Sequence, residues 1–173
     1  MGARVGQERR RLVLSHGCLT SRGDSTSAIV TPGNAHLAAN ANPGNWVFRD
    51  QRVGSLTKGE PLRNVDGAVH SRAGPRLLEA CQALPTDAQG LRCPLGEARA
   101  TPGFELPAGF VIHTVGPRDR DQAASEPDSC TPNSNRNPNP KLKAALRAAH
   151  NSCLRLAEAK GIEKIYFPAI SCG

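Results

Sequence analysis

Aromatic residues are scarce in this sequence: Phe, Trp and Tyr together account for 3% of its 173 residues. The core must therefore be built from Ala, Val, Leu and Ile, which make up most of the 38% of hydrophobic residues. No apolar run approaches the ~18 residues that a membrane-spanning helix needs, so we expect no membrane partner. The net charge of +7 favours an anionic partner. Because the basic residues are not interleaved with aromatic ones, the sequence does not favour a nucleic acid.

Paired cysteines are also lacking. None of the six cysteines forms a CxxC pair or a Cys–His spacing typical of zinc, so we expect no metal site; they are Cys18, Cys81, Cys93, Cys130, Cys153 and Cys172. The N-terminus shows no signal peptide, because its basic residues precede only a short apolar stretch. We therefore expect reduced thiols and a cytoplasmic or nuclear protein, with organelle targeting left open as an alternative.

The length favours a single domain over 1–173. Its first part, 11–35, is predicted to hold two short strands, at 12–15 and 27–31, the second leading into the turn-type sequence "TPGN". Residues 36–64 are polar and rich in turn-forming residues, with no sustained periodicity, which predicts a long inserted loop that is functional, disordered or foreign to the domain.

Helical periodicity begins at residue 65, in a part of the chain, 65–117, that is predicted to hold a helix and strands. Apolar residues recur there at helical spacing, and Gly74-Pro75 should break or kink the helix; the recurring residues are Val65, Val69, Ala73, Leu77 and Cys81. "EARATP" and "FVIHTV" then predict two strands. Residues 118–140 are polar and of low complexity, which predicts a disordered loop.

The last part, 141–173, is predicted to hold a helix over 141–160, with Gly161 as its C-cap, and a buried strand over 165–170. Strands that alternate with helices indicate the α/β class. In open α/β sheets the ligand site lies at the carboxyl ends of the strands, here after "AIVTPGN" and "IYFPAISCG".

Five segments, in order, carry a resemblance: "GD" (23–24), "AIVTPGN" (28–34), "VDGAVHSRAG" (65–74), "CPLGEARATPGFELPAGFVIHTVGP" (93–117) and "FPAISCG" (167–173). Together they resemble the macrodomain family of ADP-ribose-binding modules, most closely the MacroD-type ADP-ribosylhydrolases. The resemblance implies a three-layer α/β/α sandwich with a mixed central sheet. The family continues beyond "SCG" with another strand and a helix, so we expect the fold to be incomplete at the C-terminus.

The resemblance also implies the residues that bind ADP-ribose. Asp24, beside Ser25, matches the carboxylate that reads adenine. Thr31 and Asn34 take the places of two Asn residues near the distal ribose, where Thr31 keeps a hydroxyl donor. The binding set is completed by the residues that match the family's two phosphate loops, which are Val65, Asp66, Ser171, Cys172 and Gly173.

Catalysis is assigned by the same resemblance to Asn34, which fixes the distal ribose, and Asp66, which holds or activates a water. Each candidate also has a structural alternative. Asp24 and Asn34 both suit turns, and Asp66 suits a helix start. His70 matches a family position too, but a structural histidine is the favoured interpretation. We interpret Cys172 as a small filler, because a neighbouring diphosphate would disfavour its thiolate.

The function that follows is hydrolysis of an ester at the distal ribose, on mono-ADP-ribosylated proteins or O-acetyl-ADP-ribose, by a monomer without a cofactor. The first phosphate loop departs from the family, because Asn34 and Asp66 lie 32 positions apart and no Gly-Gly-Gly run is present. That departure keeps two alternatives open, a non-catalytic ADP-ribose reader and a degenerate fragment without a ligand. A third alternative, a phosphatase acting on ADP-ribose 1″-phosphate, stays open because it would use the same cleft.

Overall fold

The computed structural model describes residues 12–38, 65–117 and 140–171. Within them it contains a 3-10 turn at Leu19–Ser21, three helices and four strands. In chain order the elements are β1 (Ser27–Pro32), α1 (Val65–Ala73), α2 (Pro75–Gln82), β2 (Ala98–Pro102), β3 (Phe110–Thr114), α3 (Pro140–Ala159) and β4 (Lys164–Tyr166). None of these helices is long and apolar enough to cross a membrane. The predicted loops lie mostly outside the described residues, which leave out 39–64 and 118–139.

The four strands form one mixed sheet in the order β2-β3-β1-β4. Strand β1 pairs in parallel with β3 and with β4, and its Ile29 lies opposite both Val111 and Tyr166. Strand β2 pairs antiparallel with β3. The sheet thus brings the carboxyl ends of β1 and β3 to one edge, where the α/β pattern predicts a ligand site.

Strand β1 is buried on both faces of the sheet. Ile29 belongs to a core cluster with Val69 of α1 and Leu77 of α2. Ala28 and Val30 belong to a second cluster, which includes Cys153 and Ala157 of α3. Each large aliphatic side chain buried in this way contributes about 1.5–3 kcal/mol to folding, so the core stabilises β1 from both sides. The predicted three-layer α/β/α arrangement with a mixed central sheet is confirmed.

The predicted break at Gly74 is also observed, between α1 and α2. Gly74 has φ 79° and ψ 177°, and Pro75 starts the next helix. A Cβ atom at Gly74 would lie 2.5 Å from Oε1 of Glu105, so the exposed end of that side chain would have to move aside. Glycine turns the chain here because it takes a positive φ without steric cost.

Helix α3 is close to the predicted span and ends in a Schellman motif. Its buried residues Ala149, Cys153 and Ala157 follow one another at intervals of four, which is one helix face. Gly161 has φ 66°, and its N–H donates to Glu158 O at 3.1 Å. The N–H of the next residue donates to Ala157 O at 2.9 Å, which completes the motif.

Two predicted strands differ from the structure. Residues 12–15 form no strand, and Leu12 and Leu14 are 92% and 93% exposed. Their apolar character alone is not enough, because a strand also needs a neighbour for its backbone hydrogen bonds. Strand β4 ends at Tyr166 rather than at residue 170 and is only partly buried. Pro168 lacks an N–H and cannot continue the ladder.

Candidate functional site

The carboxyl ends of β1 and β3 meet a third chain segment at one edge of the sheet. The N–H of Gly33, just after β1, donates to Thr114 O of β3 at 2.9 Å. A Cβ atom at Gly116, just after β3, would clash with Ser171 Oγ, which places the segment after β4 against this turn. These three segments form what we call the carboxyl edge.

Asp66 lies at this edge, in the first turn of α1, and is buried with two partners. The hydroxyl of Thr31, near the end of β1, donates to Asp66 Oδ1 at 3.0 Å. His70, one helical turn further along α1, places Nε2 3.8 Å from the same oxygen. Burial raises the pKa of the Asp66 carboxyl above its usual range, while His70 and the hydrogen bond from Thr31 act in the opposite direction.

The same burial lowers the pKa of the His70 imidazole, whereas the nearby carboxylate of Asp66 raises it. The two side chains thus form a buried acid–base pair in which each partner favours the charged form of the other, against the effect of burial. A carboxylate held in this way can accept a hydrogen bond from a water or a sugar hydroxyl. The arrangement therefore supports general-base chemistry at the carboxyl edge.

A second polar group lies deeper in the core. His113 of β3 has Nε2 2.9 Å from Thr101 Oγ1 and 3.5 Å from Cys81 Sγ. Its ring centroid is 6.1 Å from that of His70. Burial lowers the pKa of His113 to about 3 and raises that of Cys81 to about 12, so both side chains are uncharged near neutral pH. The sequence did not group these residues because they come from α1, α2, β2 and β3.

This deeper group includes histidine and cysteine side chains, which are common zinc ligands. The ligand atoms of His70, Cys81 and His113 lie within 4.8 Å of one another. A metal at His113 Nε2 would, however, have to displace the hydrogen bond to Thr101, and Cys81 would have to lose its proton. We therefore interpret the trio as a hydrogen-bonded part of the core.

Asn34, two residues after β1, is half-buried and uses its amide within its own loop. Its Oδ1 accepts from the N–H of His36 at 3.0 Å, and its Nδ2 donates to Ala38 O at 3.3 Å. Arg92 holds the same loop, since its Nη1 donates to His36 O at 3.1 Å. The amide would have to exchange these local partners before it could bind a ribose.

Asp24 and Ser25 are not brought to the carboxyl edge. Asp24 precedes β1, and its Oδ2 accepts from Lys164 Nζ at 3.0 Å. Lys164 is the first residue of β4 and pairs in register with Ser27 at the start of β1. Hydrogen bonds from Thr26, and then the contact with Lys164, hold the pKa of Asp24 below its usual range. A six-residue strand spans roughly 20 Å, so this pair marks the opposite, amino-terminal edge.

The remaining predicted residues fall into two groups. Val65 lies beside Asp66 and packs, partly buried, against the core. Ser171 is exposed at the carboxyl edge with φ 63°, a left-handed conformation that is uncommon outside glycine. Cys172 and Gly173 lie outside the described residues. The structure therefore joins Thr31 to Asp66 by a hydrogen bond, with Val65 beside them in the chain. It places Asn34 and Ser171 in segments that follow strands at the same carboxyl edge.

Comparisons with known proteins bear on this edge. Residues 56–173 match the family described as Macro domain. A Macro domain-containing protein of Xanthomonas campestris pv. campestris is 47% identical over 109 residues, which cover 63% of this chain and 52% of that protein. The O-acetyl-ADP-ribose deacetylase of Escherichia fergusonii is 44% identical over 109 residues, with 63% and 51% covered. The chain spans about half the length of the curated relatives that it matches.

Among solved structures, a mutant of the Oceanobacillus iheyensis macrodomain with ADPR (ADP-ribose) superposes with a TM-score of 0.59 at 30% identity. The match covers 91% of this chain and 63% of that chain. The structural similarity is thus broader than the family match, which begins at residue 56 and leaves β1 out.

Proposed function

The chain belongs to the macrodomain family, and from this premise we propose that it binds ADP-ribose at the carboxyl edge and hydrolyses an ester of the distal ribose. The observation that carries the proposal is the buried carboxylate of Asp66, held at 3.0 Å by Thr31 where β1 ends. The similarity to a deacetylase of O-acetyl-ADP-ribose and to a macrodomain bound to ADPR supports the choice of ligand.

In this proposal Asp66 accepts a proton from a water that attacks the ester carbonyl. The acyl–oxygen bond then breaks, Asp66 returns the proton to the ribose oxygen, which becomes a hydroxyl again, and the acyl group leaves as a carboxylic acid. Burial already raises the pKa of Asp66, and a bound diphosphate would raise it further, which makes the carboxylate a better base near neutral pH. The substrate is O-acetyl-ADP-ribose or a protein that carries mono-ADP-ribose on an acidic side chain.

The other predicted ligands act through binding. Asn34 fixes the distal ribose after its amide leaves Ala38 and His36, and Ser171, with Cys172 and Gly173, lines the diphosphate. Val65 packs beside Asp66. We further propose a monomer in the cytoplasm or nucleus that works without a metal or organic cofactor. Asp24 and Ser25 take no part in the catalytic step, because they lie at the opposite edge.

The test combines binding and turnover on the same preparation. Calorimetry with ADP-ribose measures binding, and release of acetate from O-acetyl-ADP-ribose measures hydrolysis. Asp66→Asn, which keeps the shape of the side chain, is the variant, and Glu163→Gln, an exposed carboxylate at the opposite edge, is its matched control. Turnover that is lost in Asp66→Asn and kept in Glu163→Gln supports the proposal. Equal turnover in both variants contradicts it.

A second candidate is a reader that binds ADP-ribose without hydrolysing it. The specific observation in its favour is the Asn34 amide, which already has two partners in its own loop. Binding without acetate release would support the reader, and absence of both would support a fragment without a ligand. ADP-ribose 1″-phosphate in a parallel assay distinguishes a phosphatase, which would release phosphate instead.

A further inference from the structure

We propose that Thr31 is a positioning residue that holds Asp66 and does not itself touch the ligand. This inference rests on the proposed function in its catalytic consequence, but the contact itself is a property of the folded chain. Thr31 is fully buried, with 0% of its surface exposed. A ribose at the carboxyl edge could reach Asp66, but it could not reach the Thr31 hydroxyl without opening the core.

The placement of Thr31 follows from the sheet. Thr31 lies opposite His113 in the parallel pairing of β1 with β3. Alternation along β1 puts it on the same face as Ile29, which packs against Val69 of α1. The side chain of Thr31 therefore points toward α1, where the first turn presents Asp66. A residue on the other face of β1 could not make this contact.

Thr31 and His70 approach the same carboxylate oxygen at different distances. The Thr31 hydroxyl lies 3.0 Å from Oδ1, within hydrogen-bonding range, whereas His70 Nε2 lies at 3.8 Å, beyond it. Thr31 is thus the hydrogen-bond donor that sets the direction of Oδ1. In this proposal the second oxygen of Asp66, Oδ2, is the one that accepts a hydrogen bond from a water or from the distal ribose.

The hydroxyl also favours the ionised form of Asp66. A buried carboxylate loses the solvation it had in water, and a hydrogen bond to the charged form recovers part of that loss. Among residues 12–38, 65–117 and 140–171, the titratable side chains that face Asp66 are His70 on its own helix, Cys81 on α2 and, behind His70, His113 on β3. Cys81 and His113 are uncharged near neutral pH, so they supply no opposite charge to Asp66.

The direct test is a carbon-13 NMR titration of the Asp66 carboxyl group, which needs no activity. Thr31→Val keeps the volume and removes the hydroxyl, and Thr31→Ser keeps the hydroxyl. Thr101→Val is the matched control, because Thr101 is also buried but donates to or accepts from His113 instead. We expect the midpoint to move to higher pH in Thr31→Val, and to stay near the wild-type value in Thr31→Ser and Thr101→Val.

An unchanged midpoint in Thr31→Val, or an equal shift in Thr101→Val, would overturn the inference. If Thr31→Val does not fold, Thr31→Cys, a weaker donor of similar size, takes its place and should shift the midpoint in the same direction. In an active preparation, Thr31→Val should turn over about tenfold more slowly than wild type at pH values below its new Asp66 midpoint. This is the scale of one hydrogen bond to a charged group. Calorimetry with ADP-ribose tests the proposed function separately. If the titration midpoint of Asp66 shifts in Thr31→Val but the wild-type protein does not bind ADP-ribose, the role of Thr31 stands and the proposed function is rejected.

Discussion

Lys164 and Asp24 form an ion pair of 3.0 Å that joins the start of β4 to the turn before β1. Both side chains are substantially exposed, so the pair contributes little to stability. Its importance lies in its position, because it identifies Asp24 as a residue of the amino-terminal edge. The carboxylate that the sequence resemblance assigns to adenine is thus far from Asp66.

The first prediction concerns this separation. The resemblance alone predicts that Asp24→Ala weakens ADP-ribose binding by about 1–3 kcal/mol, the cost of an unpaired buried partner. From the geometry we expect ADP-ribose affinity to stay within a factor of two of wild type in Asp24→Ala. Lys164→Ala, which removes the other half of the ion pair, is the control, and its ADP-ribose affinity should also stay within about a factor of two of wild type. Calorimetry decides, and a selective tenfold loss in Asp24→Ala would restore the adenine assignment.

The second prediction concerns the break between α1 and α2. Gly74→Ala should destabilise the protein by about 1–3 kcal/mol, because the backbone would keep a φ of 79° and a ψ of 177°, a conformation that is open almost only to glycine. Gly90→Ala is the matched control, since Gly90 has a similar φ of 77° but open space around it. Urea unfolding measures both changes. Gly74→Ala without a measurable loss of stability would contradict this backbone cost.

The third prediction concerns stability at low pH. Burial lowers the pKa of His113 from the ordinary 6.5 to about 3, so the unfolded chain binds this proton more readily than the folded chain does. The stability that His113 contributes is therefore fully present above pH 6.5 and is lost as pH falls toward 3. One proton corresponds to a slope of about 1.4 kcal/mol per pH unit. Urea unfolding at several pH values between 7.5 and 4.5 should reveal this loss.

Asp66 affects stability in the opposite sense, because its pKa is raised in the folded state. Its contribution stabilises the folded protein at a pH below the ordinary pKa of a carboxyl group and is lost as pH rises through the raised pKa. His113→Gln separates the two contributions, since it removes the histidine and retains a polar side chain near Thr101. We expect a flatter pH dependence in this variant than in wild type. The same slope in both proteins would mean that His113 is not the cause.

The fourth prediction concerns the buried trio of His70, Cys81 and His113. Because His113 Nε2 is already hydrogen-bonded to Thr101, we expect the purified protein to carry no stoichiometric zinc. A chelator should then leave the unfolding temperature unchanged, and Cys81→Ser should not alter the response. Elemental analysis that finds one zinc per chain, lost together with stability in chelator, would instead establish a metal site.

Much of the fold was predictable because local patterns and packing agree. The buried run of β1, the break at Gly74 and the apolar stripe of α3 each depend on side chains close in sequence. Strand β4 was predicted too long, since its apolar residues continue past Tyr166 while Pro168 ends the hydrogen bonding. The prediction of a strand at 12–15 was wrong for a related reason, because apolar residues alone do not supply a partner strand.

The site was only partly predictable, because its residues come from distant parts of the chain. Thr31 and Asp66 are 35 positions apart, and only the packing of α1 on β1 brings them together. Asp24 is the opposite case, because the resemblance assigns it to the site and the structure places it at the other edge of the sheet. The N–H of Ser27 donates to Asp24 O at 3.1 Å, so the chain turns directly into β1 and has no length to reach the other edge. The order of motifs in a sequence does not contain this information.

The central claim, that Asp66 is the base at the carboxyl edge, is tested most directly by comparing turnover with binding in Asp66→Ala at matched ligand saturation. We predict that hydrolysis of O-acetyl-ADP-ribose falls by ~10²-fold or more, the usual effect of losing a positioned acid–base group. ADP-ribose affinity should change little or increase, because a carboxylate facing a diphosphate is repulsive. Full turnover in Asp66→Ala, with unchanged binding, would contradict the account.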